Sequence, residues 1–146
     1  MKKLINRSFL YAVLALAGGV FYREFTKWNG FTSRTTLAFV HPHLLVLGAL
    51  LLLILALFSR SLPLLEEKRF QTFMKLHTIG LPYMVIMMLV RGVIQVLGVN
   101  VSDGLDAAVS GIAGLCHIIL GASVVYCYLA LKDALSHETK QQKAKT

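Results

Sequence analysis

Four long apolar runs restrict the fold of this chain more than any other feature. They are Leu4–Tyr22, Leu37–Phe58, Leu76–Val99 and Ala107–Leu131. A bilayer's hydrocarbon layer is about 30 Å thick, and a helix needs roughly 20 mostly apolar residues to cross it. Inside that layer every backbone polar group must be bonded within the protein, which helices of this length achieve. The first run is the weakest, because Asn6 and Arg7 interrupt it. Composition agrees: 56% of the 146 residues are apolar and 15% charged, against roughly 25% charged in an average soluble domain. The expected class is all-α: a polytopic, antiparallel four-helix transmembrane bundle over residues 1–133, followed by a polar tail over residues 134–146.

Orientation follows from lysine and arginine, which accumulate on the cytoplasmic side. Lys2, Lys3 and Arg7 precede the first span. Arg60, Lys68, Arg69 and Lys75 lie between spans two and three, and Lys132, Lys140, Lys143 and Lys145 follow the fourth. The opposite loops hold Arg23, Lys27 and Arg34 in one and only Asp103 and Asp106 in the other. Both termini are therefore expected in the cytoplasm, with the chain in the plasma membrane. The net charge of +8 is then a topology signal, and no basic aromatic patch points to nucleic acid. The opening KKLINRSFLYAVLALAGG also reads as a signal peptide; its removal would leave three spans in the same orientation. Cys116 and Cys127 fall on one helix too far apart to pair.

Small and polar residues mark the faces expected to meet, since small side chains let helices approach and polar ones turn away from lipid. Span four carries Ala107, Ser110, Gly114, His117 and Gly121. Span three carries Gly80, Met84, Met87, Met88, Arg91, Gln95 and Gly98. Span one offers Ala15, Gly18, Gly19 and Tyr22. The stretch FVHPHLLVLG opens span two. Proline suits the first turn of a helix and pushes the residue before it out of helical geometry. His41 is accordingly expected on an extended lead-in and His43 on the first turn, with both rings free to face inward. His77, beside Lys75, reads as interfacial, and His137 as a solvated residue of a mobile tail. The outer loop YREFTKWNGFTSRTT contains NG, so a turn is expected there.

At 1.5 Å per residue, His43 lies roughly 6–9 Å, Arg91 roughly 10 Å and His117 roughly 10–15 Å from the outer ends of their spans. These groups share the outer half of the bundle, with Gln95 and His41 nearer the surface. A guanidinium at that depth needs an anion, snorkels to the interface, or pairs with Glu24, Asp103 or Asp106. Glycines on either side of His117 leave room for a flat group. A haem macrocycle is flat, takes imidazole as axial ligand and carries carboxylates that arginine pairs. The leading expectation is b-type haem between spans two and four. His43 and His117 are its axial ligands, Arg91 is near a propionate, and His41 and Gln95 are close by.

The same rings support other chemistry. His41, His43 and His117 suffice as a first shell for copper or zinc, and Met84, Met87 and Met88 suit Cu(I) or simply pack. A quinone or anionic-lipid pocket uses the same donors. In a further reading the polar residues only hold helices together, and the chain is a non-catalytic partner or assembly subunit. No phosphate loop, nucleophile elbow, paired catalytic carboxylates or HExxH is present, so electron transfer or haem handling is expected rather than bond-making catalysis. Expected partners are the lipid bilayer, a membrane redox or oxidase-assembly protein, and a second copy of the chain.

The blocks GVFYREFTKWNGFT, HPHLLVLG, MMLVRGVIQVLG and DAAVSGIAGLCHIILG resemble a domain-of-unknown-function family of small, four-span bacterial membrane proteins, chiefly Gram-positive. The resemblance covers roughly residues 1–133 and implies the membrane fold, not a cofactor. The histidine-bearing span two is also loosely similar to spans of the haem–copper oxidase catalytic subunit and its small assembly partners.

Overall fold

The computed structural model describes residues 1–143, with side chains through Lys140, and Lys145 of the charge pattern lies outside it. Four long helices make up nearly all of it, and no strand occurs among the described residues. They are α1 (Lys2–Trp28), α2 (Thr36–Phe58), α3 (Lys68–Leu97) and α4 (Asp103–Lys143). A single 3₁₀ turn, Leu64–Glu66, interrupts the connection between α2 and α3. All four are long and apolar enough to cross a membrane. Polar residues carry most helix ends past the apolar boundary: α3 starts eight residues before Leu76, though it stops at Leu97, two short of Val99, and α4 carries the expected tail as helix through Lys143.

Neighbouring helices run antiparallel. Along α1 and α2, Gly18 faces Val40, Tyr11 faces Gly48 and Ser8 reaches Ala49. Along α2 and α3, Leu37 meets Gly92 and Leu47 meets His77. Along α3 and α4, Arg91 meets Ser110, Gly80 meets Leu120 and Arg69 meets Asp133. The close helix pairs are thus α1–α2, α2–α3 and α3–α4, and α4 leans almost entirely on α3.

Two close approaches depend on glycine. A Cβ on Gly92 would lie 2.5 Å from Leu37 Cγ and 2.7 Å from Leu37 N. A Cβ on Gly48 would lie 2.6 Å from the Tyr11 ring. At the outer end of α1, the expected NG turn is present. Gly30 takes a left-handed φ of 59°, and the Gly30 and Phe31 N–H groups donate to Lys27 and Thr26 carbonyls, a helix-ending pattern that favours glycine.

The buried seam of α4 is Cys116, Leu120, Ser123, Cys127, Ala130 and Ala134. Its alternating four- and three-residue spacing matches the seam of left-handed helix pairs. The stripe expected to be buried, Ala107, Ser110, Gly114, His117 and Gly121, is instead exposed. The two stripes differ by one residue, about 100° around the helix. Both are small enough to pack, but α4 has one principal neighbour and buries only one face. On α3 the expectation fits in part: Gly80 and Met84 are buried, Met87, Met88 and Arg91 are half-buried, and Gln95 and Gly98 at the outer end are exposed.

Candidate functional site

Helix α2 is not uniform. It opens as a 3₁₀ turn over Thr36–Phe39, becomes α-helical over Val40–His43, widens to a π-helix over Leu44–Leu50 and ends α-helical over Leu51–Phe58. Its outer end is tied to α3. The Thr36 N–H donates to Gln95 Oε1 at 2.8 Å, the Thr36 hydroxyl to the Met88 carbonyl at 2.9 Å, and the Thr35 hydroxyl to the Gly92 carbonyl at 3.2 Å. Gln95 therefore caps α2 rather than lining the cleft below.

Helical geometry thus starts well before the proline, which corrects the expectation for His41. Pro42 sits inside a continuous helical path, and residues two apart on such a path point to nearly opposite faces. His41 is exposed and stands against α1, its Cβ and Cγ 3.7 Å from where a Cβ on Gly19 would be. His43 turns the other way, toward α4. Among the described residues, no three His, Cys, Asp or Glu side chains are grouped to hold a metal ion.

His43 and His117 do come together. They line one cleft of about 220 Å³ between α2 and α4, with Met84 and Leu120 beneath and Gly121 at its edge. Each ring is held the same way. His43 Nδ1 lies 2.7 Å from the Phe39 carbonyl, and His117 Nδ1 lies 2.8 Å from the Ala113 carbonyl, each four residues earlier on its own helix. A carbonyl only accepts, so Nδ1 carries the proton in both rings. In the neutral imidazole, Nε2 is then left with its lone pair. Gly114 and Gly121 add open space beside His117: a Cβ built on either meets no atom within 4 Å. Through the shared residues Leu47 and Val124, the cleft adjoins a second of about 440 Å³ with a mainly apolar lining that includes Phe58, Cys127 and Tyr128.

Arg91 stands at the outer end of this face. Its guanidinium donates to Ser110 Oγ at 2.6 Å and to Asp106 Oδ1 at 3.3 Å. Of the three carboxylates considered, Asp106 is therefore its partner, while Glu24 is paired with its neighbour Arg23. Ser110 precedes His117 by two helical turns on the same face, or roughly 10 Å.

Two histidines lie elsewhere than expected. His77 is not interfacial. It is 1% exposed, packed between Tyr11 and Phe73, and its Nε2 donates to the Leu47 carbonyl of the π stretch at 2.9 Å. His137 is exposed, as expected, but sits on helix α4 rather than in a loose tail; its Nδ1 lies 2.8 Å from Glu67 Oε1, and with Arg69–Asp133 it fastens that end of α4 to the start of α3. Sequence reasoning missed the buried group Ser8, Tyr11 and His77 altogether. Its one signal was a histidine spaced on the apolar face Phe70, Phe73, His77, Gly80.

Fold and cleft together define an all-helical protein of four membrane-length helices, with a pair of backbone-oriented imidazoles on an open lateral cleft. The chain belongs to the family described as "Protein of unknown function (DUF2871)", whose model matches residues 1–134. No curated protein and no solved structure matches it significantly.

Proposed function

We propose that this is a plasma-membrane protein with both termini in the cytoplasm, and that its two-histidine cleft binds b-type haem for electron transfer or haem handling. The observation that carries the reading is the shared orientation of His43 and His117. Metal-ligating histidines characteristically donate the other ring N–H to a carbonyl or carboxylate, which fixes the tautomer and the ring plane. Both rings meet that condition on facing helices, and Gly114 and Gly121 leave lateral room for a macrocycle. The cleft, at about 220 Å³, is smaller than the roughly 300–1,000 Å³ of an enclosed ligand pocket, so His43 and His117 would hold a haem only partly enclosed by the chain. Arg91 lies outside the cleft lining, bonded to Ser110 and Asp106 about two turns outward of His117, so pairing a propionate would require it to leave Asp106. When bound, the iron supplies one-electron chemistry; the chain's residues orient the ligands and present an apolar floor.

Absorption spectra of the detergent-purified protein, oxidised and dithionite-reduced, test this directly. A stoichiometric Soret band that disappears in His117→Leu and in His43→Leu is the expected result. A protein that stays colourless after haem is supplied overturns the reading.

A second reading rests on Met84, whose position beneath the two imidazoles makes a His₂Met set suited to a soft ion such as Cu(I). Elemental analysis of the same sample separates the two: iron with the chromophore, or copper without it.

A further inference from the structure

The π stretch of α2 begins at the residue after His43, and its widened turn is held by donors from other helices. Leu51 N–H donates to the Val46 carbonyl, five residues back. The Leu47 carbonyl, which an α-helix would pair with that same Leu51 N–H, accepts instead from His77 Nε2 at 2.9 Å. Two residues on, the Ala49 carbonyl accepts from the Ser8 hydroxyl at 2.7 Å. A π stretch accommodates extra chain in the turn, and removing one residue's worth rotates everything on one side by about 100°.

We propose that His77 is the positioning residue of the cleft: its hydrogen bond to Leu47 keeps α2 widened and so points His43 at His117. His77 has little freedom to do otherwise, wedged between the Tyr11 and Phe73 rings at centroid distances of 6.1 and 5.2 Å. Without its N–H, the Leu47 carbonyl is an unpaired acceptor in apolar surroundings, which is costly. The nearest relief is to recapture Leu51 N–H. Each carbonyl above then recaptures the amide four residues on, and the surplus residue is driven toward the outer end of the helix, past His43. The inner end stays fixed because Leu52, Leu55 and Ala56 are buried in the core. His43 consequently swings off the cleft. The haem reading gives this device its purpose, but the geometry is testable with no cofactor present.

The test uses the full chain in detergent with Cys116→Ala and Cys127→Ala, carrying His43→Cys and His117→Cys. A short bifunctional alkylating reagent that fluoresces only when both arms react reports whether positions 43 and 117 face each other. Cross-linking is expected in this parent. Adding His77→Leu should lower the yield roughly tenfold, the scale of population shift that an orphaned carbonyl imposes. His77→Gln, which retains an N–H donor, should preserve the yield. Deleting Val46 in the His77→Leu background removes the surplus residue and should restore it. An unchanged yield in His77→Leu overturns the proposal, and so does a loss that the deletion fails to repair, since that reports general loosening. A parent that does not cross-link overturns the cleft itself. Cross-linking in this parent, with the native-sequence protein colourless after haem is supplied, removes only the haem.

Discussion

Gly92 and Gly114 sit on helices of similar composition and answer the same substitution in opposite ways. At Gly92 a methyl group collides with the Leu37 backbone as well as its side chain, and backbone cannot swing aside. Gly92→Ala is expected to destabilise by about 1–3 kcal/mol, the usual range for overpacking, read as a lowered unfolding midpoint in detergent. At Gly114 a methyl group meets nothing. Gly114→Ala should be neutral or slightly stabilising, because alanine's helix propensity exceeds glycine's by about 1 kcal/mol. On the haem reading, Gly114→Phe should leave folding intact while lowering the Soret absorbance, since it fills the space beside His117. The Arg91–Asp106 pair is partly exposed on both sides, at 35% and 55% of the side chains. Asp106→Asn should therefore cost less than about 1 kcal/mol in the same unfolding measurement.

Among the elements, α4 is the least committed. Its seam on α3 is built of small side chains, and at Gly80 the spacing is already tight: an added Cβ would lie 3.2 Å from the Leu120 backbone nitrogen. Gly80→Leu is expected to separate the two helices and change the cleft between α2 and α4. A reduced His43–His117 cross-link would record that change, with helix content by circular dichroism unchanged. The number and placement of the four helices were legible because 20-residue apolar runs are a coarse, length-based signal. The inward face of α4 was not. Two small-residue stripes one position apart are equally able to pack, and only the number of neighbours decides between them. The course of α2 was hidden for a related reason: LLVLGAL is uniformly apolar, and its widened turn depends on donors from Ser8 and His77, which are distant in sequence. His43, His117 and Arg91 could be singled out because polar groups are rare in such runs. For Arg91 the sequence offered Glu24, Asp103 and Asp106 alike, and only the α3–α4 packing selects Asp106 and adds Ser110.

For the molecule as a whole, the asymmetry of lysine and arginine makes a prediction about sidedness. A cysteine introduced at Ser33, in the loop between α1 and α2, should react in intact cells with a reagent that cannot cross membranes. One introduced at Ser61, between α2 and α3, should react only after the membrane is opened. The reverse pattern would invert the proposed orientation and place the histidine cleft in the cytoplasmic half of the bilayer.

The placement of the cleft also determines how anything reaches it. Its walls are the flanks of α2 and α4, and its rim is His117 and Gly121 midway along a helix rather than at either end. In a bilayer, such an opening has no aqueous doorway. A ligand must dissolve among the acyl chains first and arrive sideways, by two-dimensional diffusion. Occupancy then tracks the ligand's mole fraction in the lipid, and a titration expressed per volume of water would report partitioning as much as binding.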